Sequence, residues 1–226
     1  MIALLAAAAP SLALSERPAE LLVLLGGLAL VPIGLVMLTS FLKMAVVLSV
    51  TRSALGAPQI PPSSAVTGLA LLLTLLVMSP VGEESWKLAR AVPAGGLERT
   101  LEAASAAAEP LRAFLGRFAR TDDRLTFLDL ARRARPPATR AEVEDSDFAV
   151  LAPVFVISEL RRAFTIGFLV FLPFLVVDLL VANVLLALGL TQLSPTSVAL
   201  PFKLLLFVAV DGFRLIARGL VLGYVA

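Results

Sequence analysis

Histidine and cysteine are both absent from the 226 residues. Without those side chains there is no disulfide, no thiolate nucleophile, no Ser-His or Cys-His relay, and none of the usual zinc, copper or haem ligand sets, so no cofactor is expected. Charge is scarce as well: 19 Lys or Arg and 17 Asp or Glu leave a net charge of +2 and make up 16% of the chain, against roughly a quarter in soluble domains. No basic stripe or nucleic-acid motif stands out, which excludes nucleic acid as a partner.

Apolar residues are what the chain has in excess. They make up 59% of it, more than a water-soluble fold can hide, and they gather into two zones separated by a polar middle. The reading is an all-α membrane protein of two long, kinked hydrophobic helical hairpins with a small helical polar insertion between them. No internal repeat is evident.

Residues 1–20 open with MIALLAAAAPSLALS, which has the apolar length and small residues of a secretory signal. No basic residue precedes the apolar run, so the segment is read as signal-like and uncleaved.

Residues 21–81 form the first hairpin. Leu21 to Leu38 is a run of 18 residues without a charge, and it continues past Thr39 and Ser40 into FLKMAVVLSV, where Lys43 is the sole interruption. A spanning helix needs about 20 residues, so the segment qualifies. In SALGAPQIPPSS, Gly56, Pro58, Pro61 and Pro62 break the helix and Ser63 or Ser64 is expected to cap the next. Ala65 to Val81 is the returning arm.

Residues 82–150 are the polar insertion. Gly82 to Asp147 carries 11 basic and 12 acidic residues and belongs in water. Leu97, Leu101, Ala104, Ala108, Leu111, Leu115 and Phe118 recur at helical spacing, which predicts an amphipathic helix despite Pro110. A shorter helix follows with Leu125, Leu128 and Leu130, capped by Thr121 or Asp122 and ended by Arg135-Pro136-Pro137.

Residues 151–226 form the second hairpin. Ser146 or Asp147 caps its first helix, Pro153 suits the first turn, and nothing but Pro173 interrupts the pattern up to Gly189. Those 37 residues would extend about 55 Å, well beyond a hydrocarbon core of roughly 30 Å, so the helix must kink, tilt or protrude. Gly189 to Pro195 is the turn, and Thr196 to Val225 the return arm.

Asp178, Asn183, Lys203, Asp211 and Arg214 interrupt this apolar stretch, where an ionised side chain facing lipid costs at least ~2.5 kcal/mol. With the turn centred near Thr191, Asp178 lies 13 residues before it and Lys203 12 after it, so the two face each other across the hairpin and are expected to form a buried ion pair. Asp211 and Arg214, three apart on one helix, are expected to form another.

Sharper chemistries compete with that reading. Asp178 and Asp211 could share a proton and activate water as an intramembrane aspartyl protease, but each has a nearby cation that would keep it ionised, and the VDG around Asp211 lacks a Gly-x-Gly-Asp pattern. Lys43 with Ser40 or Ser49 could serve as a Ser-Lys dyad if burial lowered the lysine pKa, although such a lysine more often snorkels or pairs. A small-solute transporter would also use broken helices with midplane charges, as at Pro173, Asp178 and Asn183, yet no repeated halves are present.

Two blocks carry a family resemblance. TSFLKMAVVLSVTRSALGAPQIPPSSAVTGLALLLTLLVMSPV, with its distinctive RSALGAPQIPP turn, spans Thr39 to Val81. FVISELRRAFTIGFLVFLPFLVVDLLVANVLLALGL through LSPTSVALPFKLLLFVAVDGF spans Phe155 to Phe213. The chain resembles the FliP/SctR family of the type III secretion export apparatus. The resemblance implies a non-enzymatic subunit of the bacterial inner-membrane export gate, a homo-oligomer, as a pentamer, joined by small FliQ/SctS-like and FliR/SctT-like subunits. Unfolded secretion substrates pass through the centre, and bent helices pack obliquely against neighbours, largely above the plane of the inner membrane, with membrane lipid as a further partner.

The resemblance also assigns residues. The family's gasket loop, commonly a methionine run, falls on Leu190, Thr191, Gln192 and Leu193, a stiffer and more polar set than methionine. Phe171 falls where a lumen-facing aromatic forms a constriction, although plain packing also accounts for a Phe there. Arg161 and Arg162, and Lys43 with Arg52, pull topology in conflicting directions under the positive-inside rule. The family places the polar insertion in the periplasm. SPTSVALPFK and the weak signal peptide lean towards injectisome rather than flagellar use.

Overall fold

The computed structural model describes residues 26, 29, 32–34, 36–57, 61–93 and 95–225. The signal-like segment at 1–20, most of the run from Leu21 to Leu38, and Pro58 lie outside the described residues. Among the described residues there are helices and turns and no strand.

Helix α1 (Phe41–Ala54) buries Met44, Val47, Leu48 and Thr51, a set recurring at three- and four-residue steps that turns one face inward. It ends at Gly56, whose amide donates to the Ser53 carbonyl at 3.1 Å. Helix α2 (Ser63–Ala91) begins after Pro62, whose extended backbone (ψ 148°) sets the entry. Ser63 and Ser64 therefore fall inside the first turn, and no side chain caps this helix, contrary to the expected serine cap. The helix is continuous through Pro80 and ten residues past Val81, so the composition changes within it; GEESWKLARA is rich in residues that favour helix.

The polar insertion comprises α3 (Leu97–Phe118), α4 (Thr121–Arg133) and a 3₁₀ turn, Pro137–Glu142. Arg120 occupies the N-cap of α4, so Thr121 and Asp122 lie in its first turn instead of capping it; Asp122 and Asp123 there complement the helix dipole.

Helix α5 (Phe148–Ala187) runs 40 residues, about 60 Å at the α-helical rise. Asp147 is its N-cap, with a carboxylate turned back to accept the Glu144 amide at 3.1 Å. Pro153 sits in the second turn, not the first as expected, where its ring removes the amide that would bond the Ala149 carbonyl. The helix closes on Gly189 at φ +70°: Leu190 N–H donates to the Leu185 carbonyl at 2.9 Å and Gly189 N–H to Leu186 at 3.1 Å, the paired bonds of a left-handed glycine cap.

The expected single return arm is two helices, α6 (Pro195–Ala209) and α7 (Gly212–Val225). They are separated at Val210–Asp211, where Asp211 adopts φ +50° and its carbonyl accepts the first bond of α7 from Leu215 at 3.1 Å. Aspartate tolerates the left-handed region better than most residues, which lets the chain turn there without a glycine at that position.

Helix α1 packs chiefly on α5, α2 on α3, and α7 against α1 and α2. The main core joins Met44 and Val47 of α1, Ala70 of α2, Leu115 of α3, Phe155 of α5 and Leu220 of α7. A smaller core at the other end joins Ala54 and Leu55 to Phe174 and Phe207. Only 11% of the most apolar window of α5 is buried within the chain, and 17% of that of α2. The chain alone leaves a large apolar surface open, the mark of lipid or protein neighbours.

Candidate functional site: buried ion pairs and the hairpin tip

The apolar hairpins place several of their charged residues in contact with one another. Lys203 of α6, almost fully buried, donates from Nζ to Asp178 Oδ2 of α5 at 2.6 Å and to the Ala54 carbonyl at the end of α1 at 3.3 Å. One ammonium thus ties three helices together. Asp178 is half-buried, and its other oxygen, Oδ1, has no partner among the described residues.

A second network surrounds Glu159, which is 0% exposed. Its carboxylate meets Lys43 of α1 at 3.2 Å and Arg162 at 2.6 Å, and it accepts a hydrogen bond from the Tyr224 hydroxyl of α7. Lys43 Nζ also lies 3.4 Å from the centroid of the Tyr224 ring, a cation–π contact. Arg162 donates onward to the Phe118 carbonyl at 2.8 Å, and Ser158 Oγ accepts the Arg120 amide at 3.2 Å. The α3–α4 junction is thereby fastened to α5. A carboxylate removed from water needs this number of donors to offset its lost hydration.

The remaining sequence-selected residues are placed as follows. Asp211 and Arg214 approach to 3.7 Å, but both are largely exposed in the chain, with side chains 62% and 79% accessible, because Asp211 stands in the α6–α7 break instead of inside a continuous helix. Phe171 is half-buried against the smaller core, beside Ala54, Leu55, Phe174 and Phe207. Leu190, Thr191, Gln192 and Leu193 are all exposed at the tip of the second hairpin. Asp178 and Asp211 have separate cationic partners. Lys43 is engaged by Glu159, while the buried Ser40 Oγ has no hydrogen-bond partner among the described residues, so those two do not form a dyad.

This arrangement can hold helices in register inside an assembly, and its exposed apolar faces are suited to neighbours. The profile of the FliP family matches residues 24–220. The chain belongs to the FliP family. It is 41% identical over 210 residues to the hypersensitivity response secretion protein HrcR of Ralstonia nicotianae, covering 91% of this chain and 97% of that one. It is 42% identical to Yop proteins translocation protein R of Yersinia pestis, with 91% and 95% covered, and 44% identical to the flagellar biosynthetic protein FliP of Caulobacter vibrioides, with 92% and 77% covered.

Within this FliP-family chain, Glu159 and Tyr224 were not picked out by sequence reasoning. Glu159 sits in SELRR, which reads as the solvated flank of an apolar helix. The signals available were a carboxylate about three turns inside a largely apolar helix and the chain's single tyrosine.

Proposed function

We propose that this chain is a core pore-forming subunit of a type III secretion export gate. It assembles as a pentamer with small FliQ/SctS-like and FliR/SctT-like subunits and conducts unfolded proteins across the bacterial inner membrane. Its hairpins are multi-pass, and the polar insertion at 82–150 lies on the periplasmic side. The exposed tip Leu190–Leu193 acts as the gasket, and Phe171 borders the constriction.

The observation that carries the reading is the contrast within α5. The helix is apolar enough to span a membrane, with a mean hydropathy of 2.6 over its best window, yet it is little buried within its own chain. It also carries Glu159 and Asp178, which bind cations from α1 and α6. Lipid alone would satisfy the apolar face, but an assembly of such chains satisfies it and encloses a path. The SPTSVALPFK stretch supports use in an injectisome.

Native mass spectrometry of the detergent-extracted chain, alone and co-expressed with candidate small partners, tests this. A discrete pentamer that takes up those partners is expected. A stable monomer that ignores them overturns the reading.

A further inference from the structure

One cluster of cations serves neither ion-pair network fully. Lys43, Arg120, Arg161, Arg162, Thr165, Ile166 and Gly223 line an open cleft of about 450 Å³ between α1, α5, α7 and the α3–α4 junction. Four of those side chains are cationic. Two carboxylates contact them: Glu159, buried and shared by Lys43 and Arg162, and Asp122, which is 3.7 Å from Arg120 with its side chain 87% exposed. The side chain of Arg161 makes no hydrogen bond or ion pair among the described residues. The cleft therefore holds excess positive charge, with Arg161 and Arg120 left to bind an anion.

What continues from the cleft identifies the anion. Arg161, Phe164, Thr165, Phe168 and Leu172 follow at i, i+3, i+4, i+7 and i+11, so they share one face of α5. Phe164 and Phe168 are 60% and 61% exposed. From Ala163 to Val177 the helix carries no charge at all. A cationic cleft at the head of an exposed apolar stripe matches a molecule that is anionic at one end and hydrocarbon at the other. A free phosphate would use the head and leave the stripe bare.

We propose that this cleft binds the phosphodiester headgroup of an anionic glycerophospholipid, with Arg161 and Arg120 on the phosphate; the Thr165 hydroxyl is spent on the Arg161 carbonyl at 2.9 Å and adds no donor. The acyl chains lie along Phe164, Phe168 and Leu172. Basic recesses between membrane helices bind anionic headgroups in this way, each cation near the surface strengthening the attraction. The inference requires a membrane setting and is independent of whether the chain conducts secretion substrates.

The test uses the full chain in neutral detergent, incubated with phosphatidylglycerol or with phosphatidylcholine of the same acyl chains, and bound lipid is counted by native mass spectrometry. Preferential retention of phosphatidylglycerol is expected. Arg161→Gln should weaken it about fivefold and Arg120→Gln with Arg161→Gln about 25-fold, at the strength typical of a cation near an anionic surface. Arg161→Lys should restore most of the loss, and Arg214→Gln, at an exposed arginine away from the cleft, should change nothing. Arg162 is left intact because it serves Glu159, and unchanged helical circular dichroism verifies that the variants fold.

Equal retention of the two lipids, or retention unaffected by the double variant, overturns the proposal. Displacement of phosphatidylglycerol by millimolar inorganic phosphate also overturns it, because the apolar stripe would then contribute nothing. If the double variant instead breaks the oligomer and leaves lipid retention unchanged, the cleft receives an acidic group from a neighbouring subunit, and the lipid assignment is wrong.

Discussion

Lys203 reaches across the second hairpin to Asp178, 2.6 Å away, and the same ammonium donates to the carbonyl that ends α1. The pair is asymmetric: Lys203 is 4% exposed at its side chain and Asp178 is 30%. Asp178→Asn leaves a cation stranded in a dry site and should cost about 3–5 kcal/mol, whereas Lys203→Met leaves a carboxylate with some access to water and should cost less. Joining the two substitutions should recover part of the loss. Thermal unfolding of the four proteins in detergent, read as a double-mutant cycle, checks the order.

Glu159→Gln removes the one carboxylate that serves both Lys43 and Arg162. The loss should be about 3–5 kcal/mol, large enough to lower the yield of folded protein. Tyr224→Phe removes only one bond to that carboxylate, at about 1.5–3 kcal/mol. Melting temperatures in one detergent rank the two variants.

Gly167 sits where α5 closely approaches α1: a Cβ there would meet Val50 Cγ1 at 2.9 Å. Gly167→Ala should destabilise by about 1–3 kcal/mol through overpacking, and adding Val50→Ala should relieve it. A melting experiment on the single and double variants decides whether the clash is the cause.

Asp211 holds its φ of +50° at the α6–α7 break. Asp211→Ala should cost about 1–2 kcal/mol, because a Cβ without a compensating local hydrogen-bonding group disfavours that region. Asp211→Gly should be neutral or stabilising. Its exposed partner Arg214 should be removable for less than about 1 kcal/mol, as surface pairs are worth little.

Most helices are readable in the sequence because their apolar spacing and breakers act locally. Leu111, Leu115 and Phe118 declare the inner face of α3, and Gly56 and Gly189 mark where α1 and α5 end. Near-equal distances from the turn make the meeting of Asp178 and Lys203 readable. The α6–α7 break is not, because Asp211 turns the chain in the left-handed region within a stretch whose apolar pattern continues on both sides. The overrun of α2 past Val81 is hidden for the opposite reason: the composition changes while helix propensity persists. Glu159 is hidden because, beyond the neighbouring Arg162, its partners come from α1 and α7, over 60 residues away for Tyr224, and no local pattern reports those two.

The absence of cysteine gives a clean background for the central test. A single cysteine at Gln192, at the exposed tip of the second hairpin, is crosslinked to a secretion substrate stalled in transit, with a second cysteine at the exposed Arg133 of α4 as control. A substrate adduct at Gln192 and none at Arg133 is the result expected of a tip that lines the conduit. An adduct at neither position, in a strain that secretes normally, would contradict the assignment of this chain to the substrate path.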